Sequence, residues 1–427
     1  MNRNSHPMNT TTKLMIILFV VILFGFLFAS LAKPQLFEPE PLVNPWQFRA
    51  IDTMKYSRDV AGEKLNDLSY DQEIETEVRN IAATGATHVA IATPYDEQFI
   101  PFLKRWVEAA RRHHLKVWFR GNWSAWEGWF GRERKMTFEE HTQKTVEFIK
   151  KHPELFENGD AFTGCPECEN GAQGDPRMTG KVDEYRKFLI SQHIESEKAF
   201  QEIGKTVNTS LMSMNKDVAD LVMDEATAKG VGGFVTIDHY VGEAKRVARD
   251  VNQLAEKTKA KIVLGEFGAP IPDLNGEMTE DQQAEWIDEA MADLQKSPHL
   301  YGLSYWVNKG GSTAIWNDNN TPRKAVNIVT KYFQPMQLYG SLNDELGFKV
   351  SDVIIEANGK HYRTENGEYL IPLYGYQTVK FIKDGYFMET IEINAAPKGR
   401  KNIILKPQQP GGFYSFWVSI RKVLFKS

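Results

Sequence analysis

Apolar residues in this chain follow two rhythms. From residue 46 to 333, short β-branched or aromatic runs alternate with longer stretches whose apolar positions recur three and four apart. The runs Phe48–Thr53, His88–Thr93, Lys116–Gly121, Ala161–Cys165, Thr209–Met214, Gly233–Ile237, Lys261–Gly265 and Gly302–Val307 predict strands. Between them, Ile74, Val78 and Ile81 mark one helix face, and Ala244, Val247, Ala248, Val251, Leu254 and Ala255 mark another. Thr137-x-x-Glu140 and Thr279-x-x-Gln282 carry the capping-box spacing, in which hydroxyl and N3 side chain satisfy orphan N–H groups. Eight strand–helix pairs predict an α/β fold, a (β/α)₈ TIM barrel over 46–333.

The rhythm changes past Phe333. Over 337–407, Val350–Glu356, Tyr369–Leu373, Thr378–Ile382 and Asn402–Leu405 read as strands divided by Asn-Gly and Asp-Gly turns, predicting a C-terminal all-β sandwich. Residues 408–427 form a basic amphipathic tail, with Phe413, Phe416, Trp417 and Ile420 among Arg421, Lys422 and Lys426. It suits a membrane surface or a place packed against the barrel.

At the other end, the uncharged run 14–32 is long enough to span a bilayer as a transmembrane helix. Arg3 and Lys13 before it favour a cytoplasmic N-terminus over 1–13, with a Pro-rich linker (33–45) and everything beyond outside. The expectation is a retained signal anchor, the membrane being one partner. The alternative is secretion after cleavage at Ser30-Leu31-Ala32. With 427 residues and a net charge of −5, the chain has no basic run or face, so nucleic acid is not expected as a partner.

In such barrels chemistry sits at the C-terminal ends of the strands. The polar residues there are Arg120, Asn122 and Trp123 after the third run, Glu167 after the fourth and Asn215 after the fifth. His239 and Tyr240 follow the sixth, Glu266 the seventh, and Trp306 closes the eighth. Two carboxylates on one bowl are the equipment of glycoside hydrolysis: one protonates the leaving oxygen, and the other attacks or stabilises the sugar cation. Glu266 is the expected nucleophile and Glu167 the acid, later the base. Arg120 or His239 would keep Glu266 ionised, Tyr240 would hydrogen-bond it, and Trp306 would offer a floor for the sugar ring. No cofactor or metal site is expected. His113-His114 reads as a helix end, and H-E-x-x-H, phosphate-cradling and G-x-S-x-G motifs are absent. Cys165 and Cys168, the two cysteines, form C-P-E-C in a loop context, read as a disulfide or two buried thiols.

At these residues the barrel resembles glycoside hydrolase clan A, whose cellulase- and mannanase-like members are retaining enzymes with the acid on strand four and the nucleophile on strand seven. Gly265-Glu266-Phe267-Gly268 carries the likeness, with His239-Tyr240 and Trp306. The resemblance implies Asn before the acid, where this chain has Pro166. That departure leaves Glu169, two residues on and so on the same strand face, as a competitor for the acid role. Segment 337–407 is similar to the carboxypeptidase regulatory-like domain, through Thr364-Glu365-Asn366-Gly367-Glu368-Tyr369 and Val379–Tyr386. The combined expectation is a membrane-anchored, extracytoplasmic retaining glycoside hydrolase acting on a polysaccharide or oligosaccharide. The rivals are a non-catalytic carbohydrate-binding barrel and an anchored envelope or adhesion protein.

Overall fold

The computed structural model describes residues 44, 46–357, 359–364, 366–373, 377–393 and 400–424. The expected N-terminal segment and anchor (1–32) lie outside the described residues, as does nearly all of the linker. Among the described residues no helix is long and apolar enough to cross a membrane.

Eight parallel strands form one curled sheet: β1 (Phe48–Asp52), β2 (His88–Ile91), β3 (Lys116–Phe119), β4 (Ala161–Phe162), β5 (Ser213–Asn215), β6 (Phe234–Asp238), β7 (Lys261–Phe267) and β8 (Leu300–Tyr305). Their order, β4-β3-β2-β1-β8-β7-β6-β5, leaves β4 and β5 at the two ends. The segment before β5 bridges them: Phe162 N donates to Asn208 O at 2.8 Å, and Thr163 Oγ1 donates to Leu211 O. The strands agree with the sequence pattern except at these two. β4 stops at Phe162, because Gly164, Cys165 and Pro166 follow and Pro166 has no N–H to continue a ladder. β5 begins at Ser213, four residues later than the pattern predicts.

Both expected capping boxes form, at Thr137–Glu140 and Thr279–Gln282. His113 caps its helix and its Nε2 lies 2.6 Å from Glu75 Oε1. Helix faces bury Ile74, Val78, Ile81, Val247, Val251 and Leu254 against the outside of the sheet, in one large apolar core.

A second apolar cluster fills the interior of the barrel: Phe48 and Ala50 from β1, Ala90 from β2, Trp118 from β3, Ala161 from β4 and Val263 from β7. Strand side chains alternate between faces, so this cluster fixes the inward phase of each strand. Two residues past Ala50 and two past Trp118, the same phase delivers Asp52 and Arg120 to the mouth. On β6 the phase Phe234, Thr236 delivers Asp238.

After the barrel, the chain builds two sheets: β11-β10-β13-β14 and β12-β9-β15. The strands are β9 (Met336–Asp344), β10 (Val353–Ala357), β11 (Lys360–Thr364), β12 (Glu368–Leu373), β13 (Gln377–Ile382), β14 (Glu389–Ile393) and β15 (Ile403–Leu405). Leu338, Leu342, Val353, Ile355, Ile371, Val379, Phe381, Ile391 and Leu405 pack between them. Sequence reading missed β9, β11 and β14. β11 alternates between half-buried and exposed positions, which leaves little apolar signal. The tail contains the helix Gly412–Leu424, whose Val418 is buried while Phe413 and Phe416 stand exposed.

Candidate active site

The mouth of the barrel is organised by one guanidinium. Arg120, fully buried, places Nη1 2.8 Å from Glu266 Oε1 and 2.9 Å from Asp52 Oδ2, and Nη2 3.0 Å from Asp238 Oδ2. Nη2 also donates to Ser213 Oγ at 3.1 Å, and the guanidinium lies 4.7 Å from the centre of the Trp118 ring beneath it. Burial works against the Arg120 charge, but Asp238, Glu266 and Asp52 overcome it and raise its pKa above an already high value. With three carboxylates around one cation, burial raises Asp52 to about 6 and pushes Asp238 well above the usual carboxylate range, with Arg120 opposing in each case.

Glu266 reaches this cluster through a break in its strand. Plain alternation after Val263 would turn Gly265 inward and Glu266 outward. Instead the pairing with β6 jumps from Ile237–Leu264 to Asp238–Glu266, so Gly265 is an extra residue, a bulge that re-aims the side chain. Glycine is required there: a β-carbon would collide with Asp238 Oδ1 and press on Thr236 and Ser213. Tyr240 Oη donates to Glu266 Oε2 at 2.7 Å. Trp306 meets the Tyr240 ring edge-on, with centres 5.7 Å apart.

Glu167 faces Glu266 across a cleft of about 710 Å³, whose walls include Met54, Arg58, Trp129, Arg134 and Asp175. Burial first, then the charges of Glu266 and Glu169, raise Glu167 to about 8 against the pull of Arg120, so it holds a proton at neutral pH. Its backbone N–H donates to Ser213 O at 2.8 Å, and Asn170 Nδ2 donates to its Oε2 at 3.1 Å.

Glu169 does not share a strand face with Glu167, because β4 has ended and Cys168–Asn170 is a 3₁₀ turn. The Glu169 carboxylate is buried and fully engaged: Tyr185 Oη donates at 3.0 Å, Asn215 N at 2.7 Å and Asn215 Nδ2 at 3.0 Å. Asn215 therefore serves Glu169. The His239 ring is turned away from Glu266 to Asp250, with Nε2 3.0 Å from Oδ2, leaving Arg120 as the partner of Glu266. Only the His239 backbone N–H meets that residue, donating to Glu266 O at 2.8 Å.

Asn122 and Trp123 stand apart from the cleft. Asn122 is fully buried; its Nδ2 donates to Glu127 Oε1 at 2.6 Å and its Oδ1 accepts from Trp123 N. Trp123 packs edge-on against Tyr95 and Phe148, and its indole N–H donates to Thr145 Oγ1. Both follow the third run in sequence but turn into the layer beneath the loops.

Sequence reading missed Asp52, Asp238 and Glu127. The first two carried a readable signal, since each continues the inward phase of its strand. Glu127, on the wall of the cleft and raised to about 7 by burial, lies in a short helical turn that no strand pattern marks. Cys165 and Cys168 form a disulfide. A ring nitrogen of His141 lies within 4.8 Å of both sulfurs, but joined sulfurs offer no thiolate to a metal.

No protein-family model matches the chain, and no curated protein sequence matches it. Solved structures do. A GH5_18 protein from Bifidobacterium longum subsp. longum, crystallised in complex with Manβ1-4GlcNAc, is similar with a TM-score of 0.53 and 13% identity, covering 71% of this chain and 83% of that one. A GH5_18 protein from Streptomyces cattleya, in complex with the same disaccharide, is similar with a TM-score of 0.51 and 14% identity, covering 70% and 85%. At such identities the likeness establishes the fold: a parallel eight-stranded barrel of the kind found in GH5 glycoside hydrolases.

Proposed function

We propose that this chain is a retaining glycoside hydrolase in which Glu266 is the nucleophile and Glu167 the acid and then the base. The observation that carries the reading is the contrast between the two carboxyl groups of one cleft. Glu266 is gripped by a guanidinium at 2.8 Å and accepts a hydrogen bond from a phenol at 2.7 Å. For Glu167, burial and the charges of Glu266 and Glu169 outweigh the pull of Arg120, and it holds its proton to about pH 8. Pairs whose surroundings push proton affinities apart separate into acid and base roles.

In the first step Glu266 attacks the anomeric carbon while Glu167 gives its proton to the departing oxygen, leaving a glycosyl ester on Glu266. In the second, the Glu167 carboxylate takes a proton from water, the water oxygen replaces the ester, and both groups return to their starting states. Glu169 is a poorer acid because Tyr185 and Asn215 hold it as an acceptor. Trp129 on the wall offers a flat face, with Arg58 stacked 4.8 Å from its ring centre. Asn122 and Trp123 act through the supporting layer, and Trp306 through Tyr240.

The substrate is a polysaccharide or oligosaccharide. The apolar run at 14–32 supports a membrane-anchored enzyme working outside the cytoplasm, with the sandwich, like a carboxypeptidase regulatory-like domain, as a spacer. The test is a panel of polysaccharides and aryl glycosides, with Glu266→Gln alongside. Hydrolysis by the native chain and its loss in the variant are expected. Equal activity in the variant, or none in the native chain, overturns the reading.

A further inference from the structure

The acid is not carried by a strand. β4 ends at Phe162, five positions before Glu167, and the intervening backbone is irregular. Glu167 itself sits at φ 42°, ψ 51°, the left-handed region that residues with a β-carbon avoid. Left to itself, a residue there relaxes to an extended or right-handed conformation and swings its side chain elsewhere.

What surrounds Glu167 is a covalent ring. The Cys165–Cys168 disulfide, with Cα atoms 5.3 Å apart, encloses only Pro166 and Glu167. Both cysteines are completely buried, so the ring is fixed to the barrel at each end. Cys165 Sγ accepts from Asn122 Nδ2 at 3.7 Å, and the same amide donates to Glu127 on the cleft wall. On the other side the Glu167 N–H is tied to Ser213, whose hydroxyl accepts from Arg120. A disulfide closing so short a loop restricts the unfolded chain little, since that effect grows with loop length. Its consequence is local.

We propose that the Cys165–Cys168 disulfide is a positioning element for acid catalysis, closing a two-residue ring that holds the Glu167 carboxyl over the cleft. The proposal rests on Glu167 acting as the acid. It assigns Asn122 a related part, anchoring the ring to the wall that bears Glu127.

The experiment uses the full chain, oxidised, and reduced by a water-soluble phosphine without denaturant, with thiol alkylation and mass mapping to confirm that Cys165 and Cys168 have opened. A Cys165→Ala/Cys168→Ala variant is run in parallel. kcat/KM, which reads the steps up to formation of the ester, is compared on a natural linkage, which needs a proton donor, and on the dinitrophenyl glycoside of the same sugar, which does not. Opening the ring is expected to lower kcat/KM on the natural linkage by at least about tenfold, part of the general-acid contribution, and to move the alkaline limb of its pH profile. kcat/KM for the activated glycoside, which reads formation of the ester and not its hydrolysis, should change less than about threefold, since its leaving group needs no proton. An opened chain with unchanged kcat/KM and pH profile on the natural linkage overturns the inference, as does parallel loss of kcat/KM on both substrates. If the double variant does not fold, the reduced native chain decides by the same readouts. An oxidised chain indifferent to Glu167→Gln overturns the assignment of the acid, and the inference with it.

Discussion

The phenol of Tyr240 donates to Glu266 Oε2 at 2.7 Å, from the loop directly after β6 to the strand beside it. Hydrogen bonds to charged groups contribute about 1.5–3 kcal/mol. Tyr240→Phe should therefore lower kcat/KM about ten- to a hundredfold with little change in fold, read from steady-state rates and a thermal melt. An unchanged rate would remove Tyr240 from the site.

Arg120 is expected to be the costliest position in the barrel. Removing it strands Asp52, Asp238 and Glu266 around an empty centre, and breaking a buried charge pair typically costs about 3–5 kcal/mol. Arg120→Met should show that loss in urea unfolding. Arg120→Lys should not restore stability, because an ammonium cannot reproduce a fork aimed at three carboxylates. A lysine variant as stable as the native chain would contradict the reading.

On the proposed mechanism Glu167 sets the alkaline side of the pH profile. The acid works when protonated, and burial with neighbouring Glu266 and Glu169 raises it to about 8. Turnover of a natural linkage should be full below that value and fall as pH rises through it. Glu167→Gln should remove this limb and lose about 10²–10⁴-fold in kcat/KM on poor leaving groups, while largely sparing kcat/KM on activated ones, whose ester forms without a proton donor. The same losses with Glu169→Gln in place of Glu167→Gln would reverse the assignment.

Gly265→Ala tests the bulge. The added methyl meets Asp238 Oδ1, so Glu266 must shift or the strand must straighten and turn it outward. Activity is expected to fall at least about tenfold, with stability lowered by about 1–3 kcal/mol as for other overpacked sites. Normal activity in this variant would show that the bulge does not aim the nucleophile.

The strands were legible because a barrel strand is a short apolar run between polar helices, and six of the eight agree closely with the pattern. β4 and β5 were misjudged where the ring closes through single hydrogen bonds instead of a ladder. Gly-Glu-Phe-Gly marks Glu266 as a strand-end carboxylate, although strict alternation would send it outward; only the pairing with β6 reveals the extra residue. Asp52 and Asp238 are readable from phase: Asp52 lies inside the first run, and Asp238 directly follows the sixth, one position before His239. Asn122 and Trp123 show the converse: position after a strand does not fix the direction of a side chain once the loop turns down into the core. The placing of Glu167 depends on a cross-link and a left-handed residue, and neither leaves a periodic signal.

The central claim is that Glu266 forms a covalent bond to the sugar. The measurement that tests it most directly is inactivation by a 2-deoxy-2-fluoroglycoside of the sugar found in the substrate panel, followed by peptide mapping of the trapped ester. The account predicts one equivalent of label on Glu266, lost on slow turnover and absent in Glu266→Gln. A label on another carboxylate, or an active chain that is never labelled and releases product of inverted configuration, would contradict it.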